Sequence, residues 1–227
     1  MYDARESVDS RAELSPVWWL YLPLGVGILL IALAQLAPQF YSTWLDNERS
    51  PIELMHTLIP AAALVVAIRS LRLPALSALP LLRVWICIAA VGCFYIAGEE
   101  MSWGQHLAGW AAPEYWATIN DQKETNLHNV SSWFDQKPRM LLQIGVIVGG
   151  LIIPVYARFR PEIRAHRWSI ILPPGLCFPT AFMAELADGT EDLIEYLEIP
   201  WVLFYRASEV QETFFYWFIL LYRKRPA

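Results

Sequence analysis

The sequence predicts an all-α protein, a polytopic membrane helical bundle of about six transmembrane helices with both termini cytoplasmic and the fifth helix kinked or broken. Three observations carry that expectation. Apolar residues fall in blocks separated by charged patches, and each block has about the 18–22 residues that cross a bilayer core. The composition is 56% hydrophobic and 17% charged over 227 residues, against roughly 45–50% and 25% in an ordinary soluble domain. Lysine and arginine also gather on alternate sides of the blocks, as the positive-inside rule requires. Disorder is excluded, and a plain soluble domain fits poorly.

The blocks are residues 17–37, 51–71, 81–100, 140–157, 168–187 and 200–222. The first follows an acidic leader and contains Ala32-Leu33-Ala34, which mimics a signal-peptide cleavage site. Its length and the five blocks after it favour a retained span. The fourth holds Gly145 and Gly149, a G-x-x-x-G spacing that suits a helix-packing face. In the fifth, Pro173, Pro174, Gly175 and Pro179 forbid a regular helix, since lipid cannot replace the lost backbone hydrogen bonds. The sixth carries Arg206, Glu209, Gln211 and Glu212 in an aromatic run, and its length places both glutamates near mid-bilayer.

Orientation follows from the basic residues. Arg5, Arg11, Arg69, Arg72, Arg83, Arg158, Arg160, Arg164, Arg167, Arg223, Lys224 and Arg225 fall on one side, while Arg49, Lys123, Lys137 and Arg139 fall on the other. The richer side is cytoplasmic. Residues 1–16 then form a cytoplasmic N-terminal segment, 17–222 one transmembrane bundle with an ordered outward loop at 101–139, and 223–227 a cytoplasmic basic tail. The net charge of −5 conceals an acidic outer half. The expected location is a cell membrane, with the basic side facing the cytoplasm.

Cys87, Cys93 and Cys177 all lie inside spans and make neither a disulfide framework nor a metal pattern. There is no internal repeat, nucleotide-binding glycine loop or basic patch for nucleic acid. The chemistry-bearing residues cluster outward instead. If the third helix runs on past the surface, Glu99, Trp103, His106 and Trp110 share one face, with Glu100 and Gln105 beside them. The outward loop adds Asn120, Gln122, Glu124, Asn126, His128 and Asn129. On a helix Glu124 and His128 would chelate one cation; in extended chain Asn120 to His128 would share a face. A solvated turn is the plain alternative.

Glu185, Asp188, Asp192 and Glu195 recur at helical spacing near the fifth block. Asp188 and Glu191 have capping-box spacing, Gly189 suits a break between two helices, and Glu185 remains a candidate site residue. Glu209 and Glu212 are costly in a membrane, roughly 2.5–3.5 kcal/mol each on insertion scales, so they should face the protein interior. Arg206 is the local partner of both, which leaves excess acid to attract a proton, a metal ion or a cationic ligand. His56, one turn after Glu53, brings a third imidazole to the outer half. His166 sits among cytoplasmic arginines.

The run Gly98-Glu99-Glu100-Met101-Ser102-Trp103-Gly104-Gln105, followed by Asn120 to Asn129, resembles a family of bacterial multi-pass inner-membrane proteins of unassigned function. The resemblance implies a shared site at these residues without naming a substrate. The residues themselves favour a membrane-embedded hydrolase or transferase on a lipid or lipid-linked substrate. In it Glu99, Glu100, His106, Glu124, His128, Glu209 and Glu212 would be catalytic, and His106, His128, Glu209 and Glu212 would hold a divalent metal such as zinc. His56, Trp103, Gln105, Asn120, Asn126, Asn129, Glu185 and Arg206 would support them. The competing reading is a proton- or cation-coupled transporter, or an accessory subunit of a membrane complex, because ion pathways also use intramembrane acids.

Overall fold

A computed structural model describes residues 14–45, 50–120 and 122–222. Most of the N-terminal segment, Arg49 and the basic tail, all used above to orient the chain, lie outside the described residues. Five segments are long and apolar enough to cross a bilayer: α1 (Val17–Leu36), α2 (Pro51–Leu71), α3 (Pro80–Glu100), α4 (Gln136–Phe159) and the stretch Ser169–Tyr196. The regular part of that last stretch is α5 (Phe178–Tyr196), and α6 (Ala207–Leu221) follows. Among the described residues there is no strand. This is a multi-pass helical membrane protein by length and composition.

Each of the first four apolar helices is only 22% buried along its most apolar window. Leu58, Val65, Ile88, Val91, Leu141 and Ile152 point away from the protein, a surface that lipid satisfies and water does not. The exception is α6. Val210, Gln211, Thr213, Phe214, Phe215, Tyr216 and Phe218 are all buried, because α6 packs against α2, α4 and α5 at once. It is the axis of the bundle, with α3 packed on α2 and α1 on α5.

Hydrogen bonds between remote segments show which helix ends meet. Trp201 Nε1 donates to Gln35 Oε1 at 2.7 Å, and the Tyr41 hydroxyl donates to the Tyr205 carbonyl at 2.9 Å, so the end of α1 adjoins the start of α6. At the opposite end Trp217 Nε1 donates to the Trp18 carbonyl, and the Tyr222 hydroxyl to that of Ile171.

Several local expectations change. The sixth helix begins only at Ala207, since Arg206 takes a left-handed conformation (φ 48°, ψ 57°) that a continuous helix does not allow. Its 15 residues span about 22 Å, less than the roughly 30 Å of a hydrocarbon core. Glu209 and Glu212 therefore stand in its first two turns rather than at mid-span. The fifth block opens with 3₁₀ turns at Arg167–Ile171 and Gly175–Cys177, and Pro179 enters at the first turn of α5, where a missing N–H costs little. Helix α5 then passes through Gly189 unbroken to Tyr196. Asp188 and Glu191 are thus mid-helix and not caps, and the acidic residues form a continuous stripe.

The small-residue contact also shifts by one position. A Cβ on Gly150 would come within 2.5 Å of Ala181 and 2.7 Å of Phe218, and one on Gly149 within 2.7 Å of Pro173, whereas Gly145 has nothing within 4 Å. Here α4 widens into a π turn over Ile147–Ile152, in which Gly150 meets Ala181 of α5 and Phe218 of α6 and Gly149 meets Pro173 before α5. Gly150→Leu should lower the unfolding free energy in detergent by about 1–3 kcal/mol through overpacking. Gly145→Leu should stay within about 0.5 kcal/mol. Denaturation midpoints of the two variants beside wild type check this, and equal values would contradict the assigned face.

Candidate metal centre

The centre is built on α2. Ser50 caps that helix, its hydroxyl accepting from the Glu53 amide at 3.2 Å, and Pro51 occupies the first turn. One turn further in, His56 is 0% exposed. Its Nε2 lies 3.0 Å from the Glu209 carbonyl oxygen and 2.9 Å from Thr213 Oγ1, both on α6. A carbonyl oxygen only accepts, so Nε2 carries the proton. In the neutral ring Nδ1 is then a bare lone pair.

That lone pair faces carboxylates from three helices. Nδ1 is 3.7 Å from Glu53 Oε2, 3.7 Å from Glu100 Oε2, 3.5 Å from Glu209 Oε2 and 3.9 Å from Glu212 Oε2. It has no hydrogen-bond partner. The other oxygen of each carboxylate is held from outside. Arg206 Nη2 donates to Glu53 Oε1 at 2.8 Å and to Glu209 Oε1 at 3.0 Å. Arg139 Nη2 reaches Glu212 Oε1 at 2.5 Å, and the Tyr216 hydroxyl donates to Glu100 Oε1 at 2.9 Å. Tyr216 also stands edge-on to the His56 ring, with centroids 5.4 Å apart.

A lone pair turned toward four carboxylate oxygens is repulsive, and either a proton on Nδ1 or a cation among the oxygens would relieve it. At metal–ligand distances of about 2.1 Å, neighbouring ligand atoms lie roughly 3.0–3.5 Å apart, a little inside the spacings seen here. Two overlapping sets have the necessary proximity, Glu53 with His56 and Glu209, and His56 with Glu100 and Glu212. Four carboxylates meet two guanidiniums around the imidazole, an excess of two negative charges that protons or one divalent cation would cancel.

The candidate residues of the 101–139 loop form a second cluster. Helix α3 stops at Glu100, since Ser102, Trp103 and Gly104 have positive φ and turn the chain back. The single helical face proposed for Glu99, Trp103 and His106 is therefore not formed. Trp103 folds onto Gly98 and its Nε1 donates to Glu99 Oε1 at 2.7 Å, while the Leu127 amide donates to Glu99 Oε2 at 2.6 Å. Glu124 accepts from His106 Nε2 (2.7 Å), the Ser102 hydroxyl (2.9 Å), Asn126 Nδ2 (2.7 Å) and Asn129 Nδ2 (3.2 Å).

Gln105 Oε1 accepts from the Thr125 amide, and Asn120 Oδ1 from the amides of Gln122 and Glu124. Residues 122–127 are irregular rather than helical. The His128 side chain lies outside the described residues. Glu185 stands apart on α5, where Gln143 Nε2 donates to it at 3.2 Å and to Asp188 at 2.6 Å.

The structure thus joins Glu100, Glu209, Glu212, Arg206 and His56, and the imidazole beside the α6 glutamates is His56 instead of His106. Sequence reasoning missed Glu53, Arg139 and Tyr216 as members. The E-x-x-H of Glu53 and His56 and the E-x-x-E of Glu209 and Glu212 were readable signals, since helix-borne carboxylate metal sites use that spacing. Arg139 was masked by Pro138, which reads as a helix boundary although α4 runs through it. No family model, curated protein or solved structure matches the chain.

Burial alone would raise the Glu124 carboxyl, but hydrogen bonds from His106 and Ser102, the His106 charge and the bond from Asn126 hold it below the ordinary carboxylate value. Its stabilisation of the loop is present above the unfolded value near about 4.3 and is lost as pH falls through the lowered folded value. Glu124→Gln should speed hydrogen exchange at the Thr125 and Leu127 amides roughly thirtyfold at neutral pH, for a loss of about 2 kcal/mol. Unchanged exchange would remove Glu124 from the role of loop anchor.

Proposed function

We propose that this protein is a metal-dependent integral-membrane enzyme, a hydrolase or transferase acting on a lipid or lipid-linked substrate from the outer face of a bacterial inner membrane. One observation carries the reading: the buried Nδ1 of His56, without a hydrogen-bond partner, is surrounded by four carboxylate oxygens whose twin oxygens are each tied down from behind. Such outer donors are what orient ligands in metal sites. One nitrogen with up to four carboxylates suits zinc, manganese or ferrous iron. A bound cation of this kind would supply Lewis acidity toward water or a substrate oxygen.

The residues divide the work. His56, Glu53, Glu100, Glu209 and Glu212 hold the ion, Arg139, Arg206 and Tyr216 fix the carboxylates, and a carboxylate of the set takes the proton from water. The glutamates are 13–22% exposed, so the centre is accessible and not sealed. The loop of Glu99, His106 and Glu124 stiffens the end of α3 beside it. Six spans with cytoplasmic termini complete the reading, supported by the sidedness of the arginines and by the axial place of α6.

Elemental analysis of purified protein incubated with zinc, manganese or ferrous iron and then desalted tests the centre. Wild type should retain about one equivalent of one of these ions. His56→Ala and Glu209→Gln should weaken retention at least about tenfold, while His106→Ala, in the loop cluster, keeps it. Equal retention by wild type and His56→Ala, or none by wild type, defeats the proposal. Elution of the variants as monodisperse species separates loss of ligand from loss of fold.

A further inference from the structure

We propose that residues 105–119 form a membrane-interface segment, seated in the lipid surface beside the last turns of α3, with Leu107, Trp110 and Tyr115 turned to lipid. The inference needs the bilayer but not the metal centre. From Leu107 to Ile119 the chain has one charged residue, Glu114, whereas Asn120 to Asn129 is polar almost throughout. Yet the segment belongs to no span. Gln105–Ala108 and Glu114–Ile119 are short helical pieces, separated by an irregular stretch that opens at Gly109 in the left-handed conformation.

The apolar side chains of this segment do little to pack the protein. Leu107 is 79% exposed, Tyr115 68% and Trp110 43%. Single exposed apolar residues are ordinary, but a run of them marks a surface that something covers. The polar groups of the same segment are meanwhile satisfied from within. Gln105 Nε2 donates to the Lys123 carbonyl at 3.2 Å, His106 Nε2 to Glu124 Oε1 at 2.7 Å and the Thr118 hydroxyl to the Tyr115 carbonyl at 2.6 Å. The amides of Gly109, Ala117 and Asn120 donate to the carbonyls of Gln105, Pro113 and Trp116. Such pairing is what backbone needs before it can leave water.

What covers the segment follows from α3. Val84, Ile88, Val91 and Phe94 recur at helical spacing and are exposed along that helix, a face that lipid solvates. Trp103 continues this face. Its ring lies over Gly98 and stands edge-on to Phe94 and Tyr95, with centroids 5.6 and 6.4 Å apart, while its Nε1 donates to Glu99. Trp110 lies against the next residue, Gly104, where an added Cβ would meet its ring at 3.3 Å. The apolar surface of α3 thus passes through Trp103 to Trp110, and the lipid that covers one end covers the other. Indoles and phenols settle where hydrocarbon meets headgroup. A partner protein over the same patch would have to share it with the lipid against α3. The bilayer then fastens the loop from one side, as Glu99 and Glu124 fasten it from the other.

The test places a nitroxide at Leu107→Cys or Tyr115→Cys in the full-length protein, in vesicles of phosphatidylcholine and phosphatidylglycerol. The background is Cys87→Ala, since Cys93 and Cys177 are buried. Both labelled positions are largely exposed, so the label displaces no core contact. Power saturation compares collision with oxygen, which dissolves in hydrocarbon, against collision with a nickel chelate, which stays in water. At both positions the oxygen-to-nickel ratio should rise severalfold above that at Lys123→Cys, in the polar part of the loop, and approach that at Ile88→Cys on α3. A ratio at either position equal to that at Lys123→Cys puts the segment in water and overturns the inference. Exclusion of both reagents shows cover by a second copy or another protein and overturns it equally. Metal content does not enter the measurement, so failure of the metal centre leaves the inference intact.

Discussion

The hydrogen bond from His56 Nε2 to the carbonyl of Glu209 is the interaction on which the rest depends. It ties α2 to α6 near their N-terminal ends, and Thr213 lies against the same nitrogen one turn along α6. Because the acceptor is a carbonyl, it also decides which imidazole nitrogen is protonated. The bare Nδ1 is thereby aimed at Glu53, Glu100, Glu209 and Glu212. A helix-docking contact and a ligand orientation are one and the same bond.

Two adjacent glutamates show how the fold separates structural from chemical acid. Successive helical positions are about 100° apart, so Glu99 and Glu100 at the end of α3 face different neighbours. Glu99 receives the Trp103 indole and the Leu127 amide, which fasten the outward loop. Glu100 turns into the bundle and meets Tyr216 and His56. The reversal at Ser102, Trp103 and Gly104 makes this division possible, since it brings the loop back over the helix end. Rigidity of that loop is then a condition for the position of Glu100.

Placing charged groups in a membrane protein is expensive, and the bundle limits the cost in two ways. The charges sit near helix ends, in the first turns of α2 and α6 and the last of α3, and not at mid-span, where the insertion penalty is greatest. Every carboxylate oxygen turned away from Nδ1 has a donor, two of them from one guanidinium. The remaining imbalance of charge is confined to one small volume around Nδ1. Helix α6 affords its shortness because α2, α4 and α5 enclose it, so it is solvated by protein rather than lipid.

The sequence by itself determined the solvent, the helical class and the approximate extent of the first four spans, because bilayer thickness imposes a length on apolar runs that composition reveals directly. It also marked Glu209, Glu212 and Arg206 as interior, since isolated charges in an apolar run have no other tolerable place. Only the tertiary structure decided which imidazole joins them. His56 is 153 residues from Glu209 along the chain, and three histidines were equally available to a reading that sees spacing within helices but not pairing between them. The same limit hid Arg139, whose partner lies on another helix, and left unseen that Glu124 and His106 pair with each other in the loop. Local periodicity fixes a face within one helix. Which faces meet is settled by packing, here by the close approach at Gly150 and by a buried histidine that needed a carbonyl.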